Sequence, residues 1–161
     1  DTVALYTPLS NKFFDEKMKA SRSRYGMRMV DNRYIGKYLS EEGSARDALI
    51  FGADQSPSKP EKSVWIRFLN QPTPVFFGVE KYAKETGYPV FYGSIQKVKR
   101  GHYTIEYTLL TDDPNSMPHQ EITYLHSKKL EEDIIRNPQY WLWSHKRWKI
   151  KHLAPDNLYR E

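Results

Sequence analysis

The sequence contains no cysteine and no long hydrophobic run. Without a thiol the chain cannot build disulfide scaffolds, thiolate zinc sites, iron–sulfur clusters or cysteine nucleophiles. Its apolar runs reach about five residues, whereas a helix needs roughly 18 to cross a bilayer, and no signal-peptide pattern opens the chain. We therefore expect no membrane span within these 161 residues.

Most common enzyme signatures are also absent. There is no glycine-rich phosphate loop, no Gly-x-Ser-x-Gly elbow and no dinucleotide fingerprint. The histidines show no metal-ligand spacing, and none belongs to a carboxylate cluster on one helical face: His102, His119, His126, His145 and His152. The sequence therefore predicts no metal site and no bound cofactor.

Aromatic and basic residues are plentiful. The chain has 12 tyrosines, seven phenylalanines and four tryptophans, and 25 Lys plus Arg against 20 acidic residues give a formal charge of +5. A chain of this length and composition can bury a genuine core. No composition shift or repeat marks a boundary, so we expect a single domain over residues 1–161.

The residue pattern predicts alternating strands and helices. In the first third it predicts a strand at Thr2–Tyr6, a helix capped by Ser10 or Asn11 and ended by Gly26, a strand near Met29, and a helix over residues 32–40. The apolar run 48–53 is typical of a strand covered on both faces, in the middle of a sheet. The fold class expected is α/β, a mixed sheet flanked by helices.

The second part of the chain has clearer boundaries. A proline-rich surface segment contains an extended piece at 64–69. After it, Thr73 and Pro74 are typical of an N-cap and a first-turn proline. They predict a helix over residues 75–86, which ends before Gly87. Strands at 89–95 and 102–109 around a basic turn predict a hairpin. A further amphipathic helix is expected to end at Asn137 and Pro138.

The most unusual stretch is residues 137–149, which holds three tryptophans and a tyrosine among basic residues and no acid. As a helix it would place Trp141 and His145 on one face. One interpretation is a final helix whose tryptophans cover the core. The others are contact with anionic lipid headgroups, or with a nucleic-acid backbone.

Two smaller features are candidate binding positions. Arg22 and Arg24 precede Gly26 and could hold an anion, although positive charge at a helix C-terminus is favourable without any ligand. Asp54 and Gln55 follow the apolar strand at its carboxyl end, where α/β sheets place their sites, but Asp54 could instead cap a turn.

Several of these segments together resemble the bacterial lipid A biosynthesis acyltransferases, the lauroyl and myristoyl transferases of the lysophospholipid acyltransferase superfamily. The resemblance spans nearly the whole chain. Within the family, the sequence looks most like the forms of Bacteroides-type bacteria. It rests on Tyr6-Thr-Pro-Leu9, Arg22-Ser-Arg24, Gly52-Ala-Asp-Gln55, Pro74-Val-Phe-Phe-Gly78 and the string Asn137-Pro-Gln-Tyr-Trp-Leu-Trp-Ser-His-Lys-Arg-Trp-Lys149. Only the last string is specific by itself. Thr7 stands where the family usually has arginine.

The resemblance implies a fold and an activity. It implies the C-terminal portion of a glycerol-phosphate-acyltransferase-like α/β fold. It also implies transfer of a fatty acyl chain from acyl carrier protein or coenzyme A to a hydroxyl of a lipid A precursor, at the cytoplasmic face of the bacterial inner membrane. The family's His-x-x-x-x-Asp/Glu base motif and a membrane anchor would fall upstream of Asp1, so we expect this chain alone to be inactive.

One match to that spacing occurs inside the chain, at His126 and Glu131. Five residues turn a helix by about 140°, so the two side chains would point apart. We therefore expect that this pair is not catalytic.

The resemblance also implies roles for the remaining candidates. Substrate contacts are expected from Arg22, Arg24, Asp54, Gln55, Phe76, Phe77 and Gly78, and contacts with an anionic membrane surface from Trp141, His145, Lys146, Arg147 and Lys149. No nucleic acid is expected as a partner. The alternative hypothesis is a non-catalytic basic and aromatic module that binds nucleic acid through stacking on Trp141 or Trp148, or a plain interaction domain.

Overall fold

A computed structural model describes residues 1–40, 47–57 and 60–160. These residues divide into two compact units, Asp1–Gly52 and Ala53–Glu161. The units contain parallel and antiparallel sheets flanked by helices. This confirms the mixed α/β class, while the expectation of a single domain stays a prediction.

Unit 1 is built on a three-stranded parallel sheet. Strand β1 lies between the other two, and the elements in chain order are β1 (Thr2–Tyr6), α1 (Lys12–Arg22), β2 (Arg28–Asp31), α2 (Ile35–Ser40) and β3 (Ala48–Ile50). The buried apolar residues are Val3, Ala4 and Ile35. Parallel neighbours require crossover connections, and the helices α1 and α2 provide them.

The predicted signals at the ends of α1 are confirmed. The side chain of Asn11 accepts hydrogen bonds from the backbone N–H groups of Phe13 and Phe14, at 3.1 and 3.3 Å, which satisfies two of the unpaired donors of the first turn. After α1 a short 3-10 turn ends at Gly26, whose φ of +89° is a left-handed conformation that glycine adopts without strain.

The prediction for residues 48–53 is only partly right. The strand is confirmed at Ala48–Ile50, but Ala48 and Ile50 are exposed and Leu49 is half-buried. In the described part of the chain β3 pairs with β1 alone. It is therefore an edge strand, which explains why its apolar residues are not covered on both faces.

Unit 2 contains two antiparallel strand pairs and two helices. The elements in chain order are β4 (Ser63–Phe68), β5 (Gln71–Phe76), α3 (Gly78–Thr86), β6 (Val90–Lys99), β7 (His102–Thr111) and α4 (Glu121–Arg136). Strand β4 pairs with β5, and β6 pairs with β7. The extended piece, the hairpin and the last helix are confirmed, with the hairpin strands longer than predicted.

The predicted start of α3 is wrong. The helix begins at Gly78, and Pro72, Thr73 and Pro74 lie in β5 instead. Pro74 is paired with Trp65 and Pro72 with Arg67. A Thr-Pro pair is a typical helix start, but proline is also accepted in a strand where its missing N–H faces away from the partner.

The larger core cluster of unit 2 lies between the β4–β5 pair and α4, and a second cluster of Ala83, Val90 and Ile122 joins α3, β6 and α4. The buried members of the larger cluster are Val64, Ile66, Phe68, Val75 and Ile134. The C-terminal residues complete it, since Tyr159 donates its backbone N–H to the oxygen of Trp65 at 2.8 Å and bridges to Ile66. This core fixes the position of the segments that hold most of the candidate residues.

Candidate functional site

A cleft of about 410 Å³ opens in unit 2 where α3 begins. It is lined by Lys62, Ser63, Val64, Phe77, Gly78, Lys81, His119 and Gln120. The apolar wall comes from Phe77 and Val64, and the ring of Phe77 meets the ring of His119 edge-on at 5.1 Å between centroids. The cleft therefore offers both an apolar surface and a basic rim.

The cleft carries positive charge with no carboxylate among its lining residues. Lys62 and Lys81 supply two ammonium groups, and the nearest described acid to the Lys81 ammonium is Glu85, at 3.8 Å. The first N–H groups of α3 lie at the same end, where the helix dipole favours negative charge. An anionic group with an apolar neighbour suits such a cleft.

Glu80 fixes the two helices beside the cleft. Its side chain is fully buried, and its carboxylate accepts hydrogen bonds from the N–H groups of Gln120 (2.6 Å) and Thr123 (3.0 Å) and from the Thr123 hydroxyl (2.9 Å). Since the side chain of Gln120 does not cap α4, a residue of α3 performs this role from 40 positions away. This contact places His119 and Gln120 at the cleft.

Arg147 is buried, contrary to what a headgroup contact would need. Its Nη1 donates to the carbonyl oxygen of Pro74 at 2.7 Å, and its guanidinium lies over the ring of Phe68 at 5.9 Å. Its Nε is buried with no hydrogen-bond partner among the described residues. Burial lowers the pKa of Arg147 to about 10, while the charge of Asp54 acts in the opposite direction.

His145 connects residues 137–149 with the loop that carries Asp54 and Gln55. Its Nε2 accepts a hydrogen bond from the backbone N–H of Ser56 at 2.9 Å, one residue after Gln55. Asp54 is half-buried and Gln55 is exposed. The structure thus brings the loop that carries Asp54 together with the segment that carries Arg147, a pairing that the sequence pattern did not reveal.

Residues 137–149 do not form the helix considered from the sequence. A 3-10 turn at Pro138–Tyr140 is followed by successive turns. Trp141 packs on Phe68 with ring centroids 6.5 Å apart, and Trp148 donates its indole N–H to the hydroxyl of Thr73 at 2.8 Å. Lys146 and Lys149 are exposed. Their contact with headgroups stays a prediction, and the two tryptophans serve the core.

Arg22 and Arg24 lie in unit 1. Arg22 is the last residue of α1 and Arg24 belongs to the following turn, where its guanidinium lies over the ring of Tyr25 at 5.7 Å. Both are exposed, and neither forms an ion pair with a residue that the structure describes. Phe76 in unit 2 ends β5 and does not line the cleft, unlike Phe77 and Gly78.

His126 and Glu131, which match the family's motif spacing, form no hydrogen bond with each other among the described residues. The carboxylate of Glu131 accepts hydrogen bonds from the N–H of Leu69 and from Lys128. The Nε2 of His126 is buried with no hydrogen-bond partner among the described residues, and burial lowers the pKa of this imidazole to about 4. His126 and Glu131 thus have separate surroundings among the described residues, and the expectation that the pair is not catalytic stays a prediction.

Among the described residues, no helix is both long and apolar enough to pass through a bilayer. Residues 1–40, 47–57 and 60–160 also contain no group of three or more His, Asp or Glu side chains arranged to hold a metal ion.

The family of the chain follows from its match to a model of a known protein family. The model described as bacterial lipid A biosynthesis acyltransferase matches residues 1–150. The chain belongs to this family. No curated protein sequence matches it. As a lipid A acyltransferase family member, the chain is assigned to acyl transfer in lipid A biosynthesis, and its mixed α/β fold is consistent with that of an acyltransferase.

The family match includes all the segments that resemble the acyltransferases. It extends from β1 to the end of residues 137–149. The Pro74 to Gly78 segment leads from β5 into the cleft, and its carbonyl at Pro74 is held by Arg147 of the closing string. Sequence reasoning did not single out Lys62, Lys81, His119 or Glu80 as site residues. The cleft is lined by segments that lie far apart along the chain, and the hydrogen-bond donors to Glu80 are about 40 positions away.

Proposed function

We propose that this lipid A acyltransferase, of the Bacteroides type, moves a fatty acyl chain from acyl carrier protein or acyl-coenzyme A to a hydroxyl of a lipid A precursor. The observation that carries the proposal is the family match over residues 1–150. We further propose that the protein works at the cytoplasmic face of the bacterial inner membrane, where its acceptor lies.

We propose that the cleft at the start of α3 receives a phosphate-bearing part of one substrate. Phe77 and Val64 would contact its apolar portion, and Lys62 and Lys81 would attract its phosphate. Arg22 and Arg24 are the proposed anion contacts of unit 1, and both are accessible to a ligand. Asp54 and Gln55 would contact the substrate from the loop that is held by the hydrogen bond between Ser56 and His145.

The reaction needs a general base that removes the proton of the acceptor hydroxyl as its oxygen attacks the acyl carbonyl. We propose that His126 is not this base. Its imidazole is buried in unit 2 and lacks a carboxylate partner, while a base must reach the hydroxyl directly or through one water. The family's His-x-x-x-x-Asp/Glu motif, outside these 161 residues, is the proposed source.

The test is acyl transfer by the protein expressed from its complete gene, with acyl carrier protein and coenzyme A thioesters offered separately. We expect the mass of a lipid A precursor to rise by one acyl group. Replacing both Lys62 and Lys81 by Gln should lower kcat/KM about tenfold, because each lost charge removes roughly 0.5 to 1 kcal/mol of attraction. Lys129→Gln, which removes a half-buried lysine of α4 that does not line the cleft, is the control. No transfer from either donor would refute the proposal.

The 161-residue chain gives a separate prediction. We expect no acyl transfer above the protein-free blank, because His126, the histidine with the family's spacing to an acid, is buried and has no hydrogen bond to Glu131 among the described residues. The measurement is product mass after prolonged incubation with both donors. Turnover that disappears in His126→Ala would show that this histidine is the base after all.

A further inference from the structure

One face of the β6–β7 hairpin is apolar and uncovered. Cross-strand partners share a face, and the pairs Phe91–Leu109, Ile95–Ile105 and Lys97–Tyr103 lie on the same one, together with Gly93–Tyr107. Each of its six large apolar side chains is at least 50% exposed: Phe91, Ile95, Tyr103, Ile105, Tyr107 and Leu109. We call this surface the ribbon face.

The opposite face of the hairpin holds it on unit 2 by polar contacts. The hydroxyl of Tyr92 donates to the Asp133 carboxylate of α4 at 2.9 Å, and Gln96 accepts from the side chain of Asn137 at 2.9 Å. The usual order is inverted on β6, where the polar residues Tyr92, Ser94 and Gln96 are covered and the apolar residues Phe91 and Ile95 are exposed. A contiguous exposed apolar patch of this kind marks an interaction surface.

The charges around the ribbon face have one sign. Lys97 belongs to the face by its register, with its ammonium over the ring of Tyr140 at 5.6 Å, and Lys99 and Arg100 follow at the hairpin turn. Between residues 90 and 111 the only acidic residue is Glu106, which is paired with Ser94 on the opposite face. A partner must therefore offer an apolar surface and negative charge side by side.

We propose that the ribbon face docks on the surface of an anionic lipid bilayer. Such a surface supplies acyl chains for the aliphatic residues, an interface where aromatic rings are favoured, and phosphates for Lys97, Lys99 and Arg100. The outer edges of the two-stranded pair keep unpaired backbone groups that need water, so the hairpin rests at headgroup level and does not cross the bilayer.

A second copy of the chain fits the ribbon face less well. Two such faces packed together would supply no carboxylate to Lys97, because neither contains one. The lysine would then lose water without gaining an ion-pair partner. A bilayer instead lets its aliphatic stem lie along the apolar region while the ammonium reaches a phosphate.

This inference deepens the proposed function, since it assigns a docking surface to an enzyme that we place at a membrane. Its experiment uses vesicles without acyl donor or acceptor. A failure of acyl transfer would therefore leave the vesicle result intact, and a failure of docking would leave the transfer assay intact.

The experiment uses the absence of cysteine. Ile105→Cys and Glu106→Cys introduce single thiols at adjacent positions on opposite faces, and each is labelled with a polarity-sensitive fluorophore. With vesicles of phosphatidylglycerol and phosphatidylethanolamine we expect a blue shift and several-fold brightening for the Ile105 label. The Glu106 label, as the matched control, should change little. Equal changes at both positions, or none at the Ile105 position, would overturn the proposal.

Two sets of charge variants identify the docking surface independently of the label. Replacing Lys97, Lys99 and Arg100 by Gln should weaken binding to anionic vesicles at least tenfold. Replacing the exposed Lys146 and Lys149 by Gln should weaken it less than threefold. The reverse order would assign the membrane contact to residues 137–149 and overturn the proposal for the ribbon face.

A final control distinguishes the bilayer from a protein partner. If a second copy covers the ribbon face, the Ile105 label will shift with protein concentration in the absence of vesicles, and that result would also overturn the proposal. Circular dichroism serves as the check that every variant remains folded. Zwitterionic vesicles should give at most a tenth of the affinity seen with anionic vesicles.

Discussion

Glu80→Ala is expected to lower the free energy of unfolding by about 3 kcal/mol. The substitution leaves the N–H groups of Gln120 and Thr123 and the Thr123 hydroxyl without their acceptor. Glu80 and Thr123 are fully buried, whereas Gln120 borders the cleft. Each buried donor left unpaired costs roughly 1 to 3 kcal/mol, with partial relief as the start of α4 relaxes. Urea unfolding followed by tryptophan fluorescence measures the loss.

The matched control for this prediction is Glu85→Ala in the same helix. Glu85 is exposed, and its one ion pair, with Lys81, spans 3.8 Å at the surface. Such pairs contribute little, so we expect a change below roughly 0.5 kcal/mol. Equal effects of the two substitutions would show that Glu80 does not cap α4. If Glu80→Ala does not fold, Glu80→Gln keeps the size and one acceptor and should lose roughly half as much.

The second large effect is a loss of stability on mild acidification, caused by His126. Its folded pKa is about 4, below the ordinary value of 6.5, because burial disfavours the imidazolium. The unfolded state therefore binds a proton first as the pH falls. Stability is complete above pH 6.5 and is lost as the pH falls toward 4, by about 2 kcal/mol between pH 7 and pH 5.

His126→Leu isolates this contribution. Leucine has a similar size and no titrating group, so the variant should lose at least 1 kcal/mol less than the wild type over the same pH interval. Denaturant unfolding at pH 7, 6 and 5 measures both slopes. The carboxylates whose pKa is lowered, Asp15, Asp31 and Asp47, act at still lower pH and do not interfere. Identical slopes would contradict the assignment to His126.

The sequence predicted best where a signal and its partner are close together along the chain. Asn11 caps α1 through residues two and three positions ahead, and Gly26 and Gly87 adopt the left-handed backbone expected after a helix. The C-terminal end of α4 and the existence of the hairpin were also predicted, because local periodicity and turn residues determine them.

The sequence predicted least where distant contacts decide the structure. Thr73 and Pro74 resemble a helix start, yet pairing with β4 holds them in a strand, and Trp148 and Arg147 bind that strand from more than 70 residues away. The same contacts keep residues 137–149 out of a helix. Glu80 showed no signal in the sequence, because a buried carboxylate is recognised only with its donors.

The candidate site follows the same division. Phe77 and Gly78 were expected to contact substrate, and they do line the cleft, whereas the basic rim from Lys62 and Lys81 was not foreseen. Lysines are common on any surface, and only the arrangement of β4, β5 and α3 places these two around one cleft. The family resemblance named segments, but it did not show which side chains face one another.

The β4–β5 pair also limits how the protein can assemble. Pro72 and Pro74 lack the N–H donors that an added strand would need along β5, and the carbonyl of Pro74 is already occupied by Arg147. On the other side, the backbone of Tyr159 occupies the edge of β4 at Trp65. Both borders are thus interrupted at these positions, which disfavours strand exchange and fibril-like stacking there. We expect higher-order association of unit 2 to use other surfaces than this sheet's edges.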